Sequence, residues 1–216
     1  FYSMDGDLSP RNILAPLSKK YNAKLIVDDA HGTGVLGSFG GGTAEHFGVE
    51  GLVDITMGTF SKALGVVGGF VAASKEVANY LRFFARSHMF SASLPPTVIA
   101  AVIAGIDVVE NDVELSQQLW SNVEYAINEI NKIGINAETE SAIIALRVPA
   151  EMNIRKAALL FHQSGIFVNS IEYPAVPVNQ QRFRISIMAT HTKPDITKLV
   201  ETISLIWKSF VIRKDT

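Results

Sequence analysis

The segment Met57-Gly-Thr-Phe-Ser-Lys-Ala-Leu-Gly-Val-Val-Gly-Gly69 places a lysine in a glycine-rich connection between two apolar runs. Residues 53–58 and 68–73 form these runs and predict two strands, and an earlier apolar run at 24–28 predicts a third. The runs are apolar on both faces, which is typical of buried strands in a sheet covered by helices. The segment therefore predicts an α/β fold with a connection of unusual composition after its second strand.

Patterns outside this segment indicate two α/β units. The spacing of apolar residues predicts helices at 10–21, 75–86, 97–134, 153–164 and 193–210, and short strands at 142–148, 166–170 and 182–188. Asn111 and Asp112 predict a break within the long helical region. We place the boundary in or before this region, which gives domains at residues 1–110 and 111–216.

Composition excludes several classes of protein. Lys and Arg number 19 against 21 Asp and Glu, a net charge of −2, so there is no basic field for nucleic acid or anionic lipid. The absence of cysteine excludes disulfides, thiolate zinc sites and cysteine nucleophiles, and it fits a reducing, cytoplasmic compartment. The longest uncharged stretch, residues 89–106, contains Pro95 and Pro96, so no membrane-spanning helix is predicted. The chain begins with Phe1 instead of Met and shows no signal peptide, so we expect a fragment of a longer protein.

Two segments carry residues that packing alone does not explain. Asp28 ends the first predicted strand, where open α/β sheets place ligand-binding groups, and His31 follows in the same connection. A carboxylate there could bind a metal, cap a helix or hold a cation. Lys62 has glycine and apolar neighbours, so we expect a desolvated amine that acts as a Schiff-base nucleophile. The hydroxyls of Thr59 and Ser61 could bind a phosphate beside it, although the segment lacks the order of a P-loop and no metal site is predicted.

Taken together, the motifs resemble the α-oxoamine synthase family of fold-type I pyridoxal-phosphate (PLP) enzymes. The resemblance covers effectively the whole chain and rests on Ser3-Met-Asp-Gly-Asp7, Val27-Asp-Asp-Ala-His-Gly32, Gly58-Thr-Phe-Ser-Lys62, Phe90-Ser-Ala-Ser-Leu-Pro-Pro96 and Arg182-Phe-Arg184. It implies that residues 1–110 are part of a large cofactor-binding domain, with a mixed sheet and covering helices, and that 111–216 form a smaller α/β domain. It also implies an acyltransferase that joins an amino acid to an acyl-CoA with loss of carbon dioxide.

The resemblance assigns three residues to the cofactor and to catalysis. Lys62 corresponds to the lysine that holds PLP covalently. Asp28 corresponds to the carboxylate on the pyridine nitrogen, where its charge keeps the ring protonated and makes the ring an electron sink. His31 corresponds to the residue that is hydrogen-bonded to the phenolic oxygen of the cofactor.

Four further residues receive binding roles from the resemblance. Ser3 and Thr59 correspond to hydroxyl residues of the cofactor site, with Thr59 on the phosphate side. Ser91 corresponds to a phosphate contact donated across the interface of a homodimer, which implies two shared sites per dimer. Arg184 corresponds to the arginine that pairs with the carboxylate of the amino-acid substrate. A helix cap at Ser91 and a solvent-facing strand residue at Arg184 are the alternative interpretations.

The resemblance leaves the substrates and the class of reaction open. The motifs are most similar to those of bacterial serine palmitoyltransferases, with 8-amino-7-oxononanoate synthase of biotin synthesis and glycine C-acetyltransferase as alternatives. A class I/II aminotransferase or an aldolase could use the same Lys62 and Asp28, and a dimerising module without chemistry is the non-enzyme alternative. Glu172 stands where several members carry arginine. The family's N-terminal portion is missing, so the piece alone is not expected to be active.

Overall fold

The computed structural model describes residues 1–211 of the 216-residue chain. These residues form two compact units. The first unit contains Phe1 and Leu8–Val113, and the second contains Tyr2–Asp7 and the residues from Glu114 onward. Each unit combines a small sheet with helices, which confirms the predicted α/β class. Over the described part of the chain, no helix is long and apolar enough to cross a membrane.

A mixed three-stranded sheet organises the first unit. Strand β1 (Ile26–Asp28) runs parallel to β2 (Ile55–Thr59), and β2 pairs antiparallel with β3 (Gly69–Ala73). The helices of this unit are α1 (Arg11–Lys20), α2 (Thr43–His46), α3 (Lys75–Phe84), α4 (Arg86–Met89) and α5 (Pro96–Asn111).

The two faces of this sheet differ in their exposure. Asp28 lies opposite Met57 and Met57 lies opposite Val71, so the side chains of these residues share one face with Ile26. Ile26 is 65% exposed and Val71 is 48% exposed, whereas Val27 on the other face is buried. Within the described residues, this face of the sheet is therefore open. Apolar strand residues make a face suitable for burial, but they do not determine which segment covers it.

Asp54 fastens α1 to the beginnings of β1 and β2. Its carboxylate accepts a hydrogen bond from the backbone amide of Leu25 at 3.0 Å and another from Nζ of Lys24 at 3.0 Å. Nζ of Lys19, on α1, lies 3.3 Å from the same carboxylate. The hydrogen bond from Leu25, followed by that from Lys24, lowers the pKa of Asp54 from 3.8 to about 2. The ionised group therefore stabilises the fold above its unfolded pKa, and this contribution is lost as the pH falls towards 2.

The Asp54→Asn variant tests this contribution. We expect the free energy of unfolding of the wild-type chain to fall more than that of the variant between about pH 5 and about pH 2, because only the wild type has a carboxylate to protonate. Urea unfolding followed by circular dichroism at several pH values measures both. Asp107→Asn removes an exposed carboxylate on α5 and serves as the control. Parallel pH profiles for wild type and Asp54→Asn would contradict the assignment.

An antiparallel three-stranded sheet organises the second unit. Across the sheet the strands are β4 (Ile143–Arg147), β6 (Arg182–Ser186) and β5 (Asn169–Ile171). The helices are α6 (Val113–Lys132), α7 (Ile154–Gln163) and α8 (Lys193–Val211). Phe183 of β6 is fully buried, and its ring centroid lies 4.9 Å from that of Phe161 and 6.2 Å from that of Trp207. These rings connect the sheet to α7 and α8 in one apolar core.

Most of the predicted elements are confirmed within a few residues. The break in the long helical region is confirmed, because α5 ends at Asn111 and α6 begins at Val113. The strand predicted at 166–170 differs, because β5 begins only at Asn169. The residues just before β5 do not pair with β6. Together with the carboxyl end of β6, they line a cavity of about 450 Å³.

Residues 2–7 belong to the second unit through a buried arginine. Arg182 is 2% exposed, forms an ion pair with Asp5 and donates a hydrogen bond to the carbonyl of Met4 at 3.3 Å. Gly6 has a φ of +80° and runs so close to the carbonyl of Ile143 that a Cβ atom at Gly6 would collide with it. The segment is therefore held both by charge and by a close approach of backbone to backbone.

Replacing Gly6 with alanine tests this close approach. A left-handed φ alone costs an alanine about 1–2 kcal/mol, and the collision adds to that cost. We expect Gly6→Ala to lower the free energy of unfolding by at least about 3 kcal/mol. Gly134→Ala is the matched control, because Gly134 has a φ of +81° and nothing within 4 Å of its Cβ position. Chemical denaturation measures both variants, and equal losses would show that the collision does not matter.

Candidate active site

Lys62 lies in the connection between β2 and β3. This connection closes on itself, since the amide of Phe60 donates to the carbonyl of Gly68 at 2.9 Å and the amide of Val66 donates to the carbonyl of Phe60 at 2.9 Å. Gly65, at a φ of +67°, makes the turn after Lys62. The side chain of Lys62 is exposed. The expectation of an amine desolvated by its neighbours is therefore wrong for the described residues, because the glycines of the loop supply no side chain to cover it.

A pair of hydroxyls lies at the start of this connection. Oγ1 of Thr59 is 2.9 Å from Oγ of Ser61 and donates to the carbonyl of Gly68 at 3.1 Å. The backbone amide of Ser61 donates to Oγ1 of Thr59 at 3.3 Å. These bonds hold both hydroxyls at the carboxyl end of β2, where they remain open to solvent.

Asp28 is on the same face of the sheet as Thr59. The parallel register pairs Asp28 with Met57, two residues before Thr59, so the Cα atoms of Asp28 and Thr59 are roughly 8 Å apart. Asp28 is exposed, and its Oδ1 accepts a hydrogen bond from the backbone amide of Ala30 at 3.0 Å. The structure thus brings the predicted carboxylate and the predicted hydroxyls to adjoining strand ends.

His31 follows Asp28 in a tight turn. The amides of Gly32 and Thr33 both donate to the carbonyl of Asp29 at 3.0 Å, which closes the turn around His31. The imidazole is half-buried, and its centroid lies 5.3 Å from that of the Phe1 ring, with the planes tilted by 43°. The turn thus holds His31 in the connection that begins directly after Asp28.

Ser91 lies in the segment between α4 and α5. Ser91 is exposed and follows Phe90, whose side chain is 84% exposed. Leu94 of this segment packs against the Lys62 connection, because a Cβ atom at Gly68 would lie 2.8 Å from Cδ1 of Leu94. The segment therefore contacts the connection through Leu94, while Ser91 faces solvent within the described chain.

Ser3 and Arg184 meet in the second unit. Nη1 of Arg184 donates to the carbonyl of Ser3 at 3.4 Å, and Nη2 donates to Oδ1 of Asn169 at 3.2 Å. Nε of Arg184 is buried and has no hydrogen-bond partner. Arg184 also lines the 450 Å³ cavity, together with His191 and Lys198. A guanidinium with an unused donor beside a cavity is suited to an anionic ligand.

Glu172, the residue at which the sequence departs from the family pattern, has a local partner. Both of its carboxylate oxygens lie 3.1 Å from Nε of Arg155, on α7. This contact raises the pKa of Arg155, with the hydrogen bond as the larger cause. The charge of Glu172 is therefore matched within the second unit.

Sequence reasoning missed a buried group of residues beside Asp28. Asp29 has no exposure and Arg11 is 5% exposed, and the two form an ion pair with an Nη1–Oδ1 distance of 3.1 Å. Thr43 is also fully buried, and its amide donates to Oδ2 of Asp29 at 2.6 Å. The Asp-Asp doublet after an apolar strand was the available signal, since two adjacent carboxylates there alternate between the open face and the interior.

The fold and the site define an α/β protein that presents a carboxylate, an imidazole, hydroxyls and an amine around the carboxyl ends of two parallel strands, where such sheets bind ligands. The chain belongs to the family described as Aminotransferase class I and II, which matches residues 1–203. The fold is that of the fold-type I PLP enzymes, and the predicted family resemblance is confirmed.

The chain is similar to two kinds of curated protein. The chain is 42% identical over 209 residues to an 8-amino-7-oxononanoate synthase from Thermosipho melanesiensis, which covers 96% of this chain and 53% of the relative. It is 41% identical over 212 residues to a serine palmitoyltransferase from Bacteriovorax stolpii, which covers 98% of this chain and 50% of the relative. The chain thus spans about half the length of the curated relatives it matches.

A solved structure shows the same fold. A serine palmitoyltransferase variant from S. paucimobilis, with a bound PLP–myriocin aldimine, superposes on this chain with a TM-score of 0.88 at 33% identity. The superposition covers 98% of this chain and 54% of that protein.

Proposed function

We propose that this chain carries PLP on Lys62 and is part of an acyltransferase that condenses an amino acid with an acyl-CoA, with loss of carbon dioxide. The observation that carries the proposal is the position of Asp28 and Thr59 on one face of neighbouring strands, with Lys62 in the connection that follows Thr59. In this proposal the first unit is the C-terminal part of a large cofactor-binding domain, and the second unit is a smaller C-terminal domain. The absence of cysteine supports a cytoplasmic location.

The residues of the first unit fit PLP by their chemistry. PLP has a phosphate, a pyridine nitrogen, a phenolic oxygen and an aldehyde, and the unit offers hydroxyls, a carboxylate, an imidazole and a primary amine to match them. Asp28 is exposed on the open face of the sheet, and the Thr59–Ser61 hydroxyl pair is accessible at the adjoining strand end. When bound, PLP supplies a ring that accepts the electron pair left on the α-carbon of the substrate.

In the proposed reaction, three side chains of the first unit hold or move a proton. The Asp28 carboxylate accepts the hydrogen bond of the pyridine N–H and keeps that proton in place by its negative charge. The His31 imidazole donates a hydrogen bond to the phenolic oxygen. The Lys62 amine would hold the cofactor covalently, and as a free base it would take the proton from the substrate α-carbon.

Arg184 is the proposed partner of the substrate carboxylate. Its buried Nε has no hydrogen-bond partner, and its Nη atoms are oriented by Ser3 and Asn169. A guanidinium held in this way can bind a carboxylate through two parallel N–H donors. The carbonyl of Ser3 thus helps to orient the guanidinium of Arg184. The hydroxyl of Ser3 is the group proposed to contact the cofactor.

The names of the similar proteins suggest two alternative reactions. A serine palmitoyltransferase, such as the relative from Bacteriovorax stolpii, implies serine and palmitoyl-CoA, and this is our first choice. The second candidate is 8-amino-7-oxononanoate synthesis, supported by the relative from Thermosipho melanesiensis and by the run from His31 to Val35. Assays of the protein as its gene encodes it, with a series of amino acids and acyl-CoA chain lengths, distinguish them. Release of a keto acid without carbon dioxide would instead indicate an aminotransferase.

The Lys62→Ala variant tests the covalent attachment. We expect borohydride to fix one equivalent of PLP to the wild-type protein and Lys62→Ala to lose this equivalent, because Lys62 is the amine proposed to hold the cofactor. Mass spectrometry of the peptide that contains residue 62 measures the adduct. Lys75→Ala, which removes another exposed lysine of the first unit, should label like the wild type. An adduct retained by Lys62→Ala would refute the assignment.

We also propose that the protein works as a homodimer with shared sites. The segment around Ser91 and the helix that follows it expose apolar side chains, among them Phe90 at 84% and Ile103 at 56%. Exposed apolar surface of this kind is typical of an interaction surface. Ser91 would then contact the phosphate in the site of the partner subunit, in line with its exposure in this chain.

A subunit mixture tests this sharing. Lys62→Ala and Ser91→Tyr are each expected to be inactive alone, whereas their hybrid dimer combines both lesions in one site and leaves the other site intact. Mixing equal amounts should restore up to about a quarter of wild-type activity, because half of the dimers are hybrids with one working site. Activity after subunit exchange measures the recovery. No recovery despite hybrid formation, or a fully active monomer by light scattering, would rule out shared sites.

A further inference from the structure

The buried ion pair between Arg11 and Asp29 has no role in the proposed chemistry, although it lies directly beside it. Asp29 has no exposure and Arg11 is 5% exposed. Removing two charges from water is costly, and an apolar pair of similar size often gives equal or greater stability. A charged pair at this position is therefore better explained by orientation than by stability alone.

The carboxylate of Asp29 is enclosed by Arg11 and by the connection that follows β1. Oδ1 accepts hydrogen bonds from Nη1 of Arg11 at 3.1 Å and from Oγ1 of Thr43, and Oδ2 accepts one from the amide of Thr43 at 2.6 Å. A Cβ atom at Gly32 would lie 2.5 Å from Oδ1, and one at Gly42 would collide with Oδ2. The backbone at both ends of the glycine-rich connection thus wraps around one carboxylate, which ties the end of β1 to the start of α2.

Arg11 links this carboxylate to the main chain of Asp28. Nη1 binds Asp29, whereas Nη2 donates to the carbonyl of Asp28 at 3.2 Å and Nε donates to Oγ of Ser9 at 3.0 Å. The planar guanidinium therefore fixes the orientation of the peptide group between Asp28 and Asp29. A lysine would preserve the charge without this fork geometry.

The peptide group held by Arg11 determines where the Asp28 side chain points. Oδ1 of Asp28 accepts its hydrogen bond from the amide of Ala30, two residues further along. The amide of Asp29 donates to the carbonyl of Met57 at 2.7 Å, which anchors the same turn to β2. Rotation of the Asp28–Asp29 peptide would move both the Asp28 carboxylate and the turn that carries His31.

We propose that Arg11 and Asp29 are positioning residues, which act through the Asp28 carbonyl and the Gly32–Gly42 connection to orient the carboxylate of Asp28 and the imidazole of His31. The role rests on the proposed function, since it is the cofactor that requires this orientation. Neither residue touches the cofactor in this proposal. Their contribution is to keep the carboxylate in one direction on an otherwise open face of the sheet.

The Arg11→Lys variant tests the role without leaving Asp29 unpaired. In the chain itself, the Ala30 amide reports on the Asp28 carboxylate, and we expect its hydrogen exchange to become about tenfold faster in the variant. In the gene-encoded protein loaded with PLP, we expect a shifted pH midpoint of the PLP absorbance. We also expect a kcat/KM about 100-fold lower, as for a misplaced catalytic group.

Asp54→Asn is the matched control, because it breaks a contact between the same helix α1 and the start of β1 without touching Asp28. It should leave both the Ala30 exchange rate and the PLP absorbance midpoint unchanged. If Arg11→Lys does not fold by circular dichroism, the double variant Arg11→Gln, Asp29→Asn removes both charges of the pair and is expected to show the same two changes.

The outcomes separate this role from the proposed function. Wild-type protein without a PLP absorbance band would overturn the proposed function, and the positioning role with it. Wild-type protein with the band, but with Arg11→Lys indistinguishable from Asp54→Asn in exchange rate and absorbance midpoint, would overturn the positioning role only. Faster exchange and a shifted midpoint in Arg11→Lys alone would support it.

Discussion

The carboxylate of Asp29 has no contact with water, so its charge must be balanced by donors from the protein itself. Arg11 and Thr43 supply them, and they come from two separate helices. Because of this requirement, α1 and the start of α2 both contact the carboxylate of Asp29 at the end of β1. Asp28, the neighbouring residue, is thereby presented on the open face of the sheet with its backbone held. The hydrogen bonds around the buried Asp29 carboxylate thus hold the backbone that carries the exposed Asp28 carboxylate.

In the second unit, too, a buried charged residue links separate segments of the chain. Arg182 is buried and binds Asp5 and the carbonyl of Met4, so a short segment from the beginning of the chain is fastened to β6. Arg184, two residues along the same strand, orients its guanidinium with the carbonyl of Ser3 and keeps a buried Nε without a partner. In each unit a buried, hydrogen-bonded arginine lies beside a second polar residue, Arg11 beside Asp28 and Arg182 near Arg184.

Several features were predictable because they depend on local sequence. The break between α5 and α6 follows from Asn111 and Asp112, whose side chains compete with helical backbone bonds. The position of Asp28 at the end of β1 was predictable from the apolar run before it. The exposure of Lys62 was not, because burial of a side chain depends on segments distant in sequence. The same limit explains why the late start of β5 was missed.

The sequence by itself determined the α/β class and the order of the elements, because periodicity and glycine placement act over a few residues. Only the tertiary structure decided which of two adjacent aspartates faces the interior, and that Arg11 is its partner from 18 positions away. It also decided that residues 2–7 join the second unit. The Asp28-Asp29 doublet indicates that one of the two carboxylates faces the interior, but its partner is set by packing and by the cost of burying charge, which the local sequence does not show.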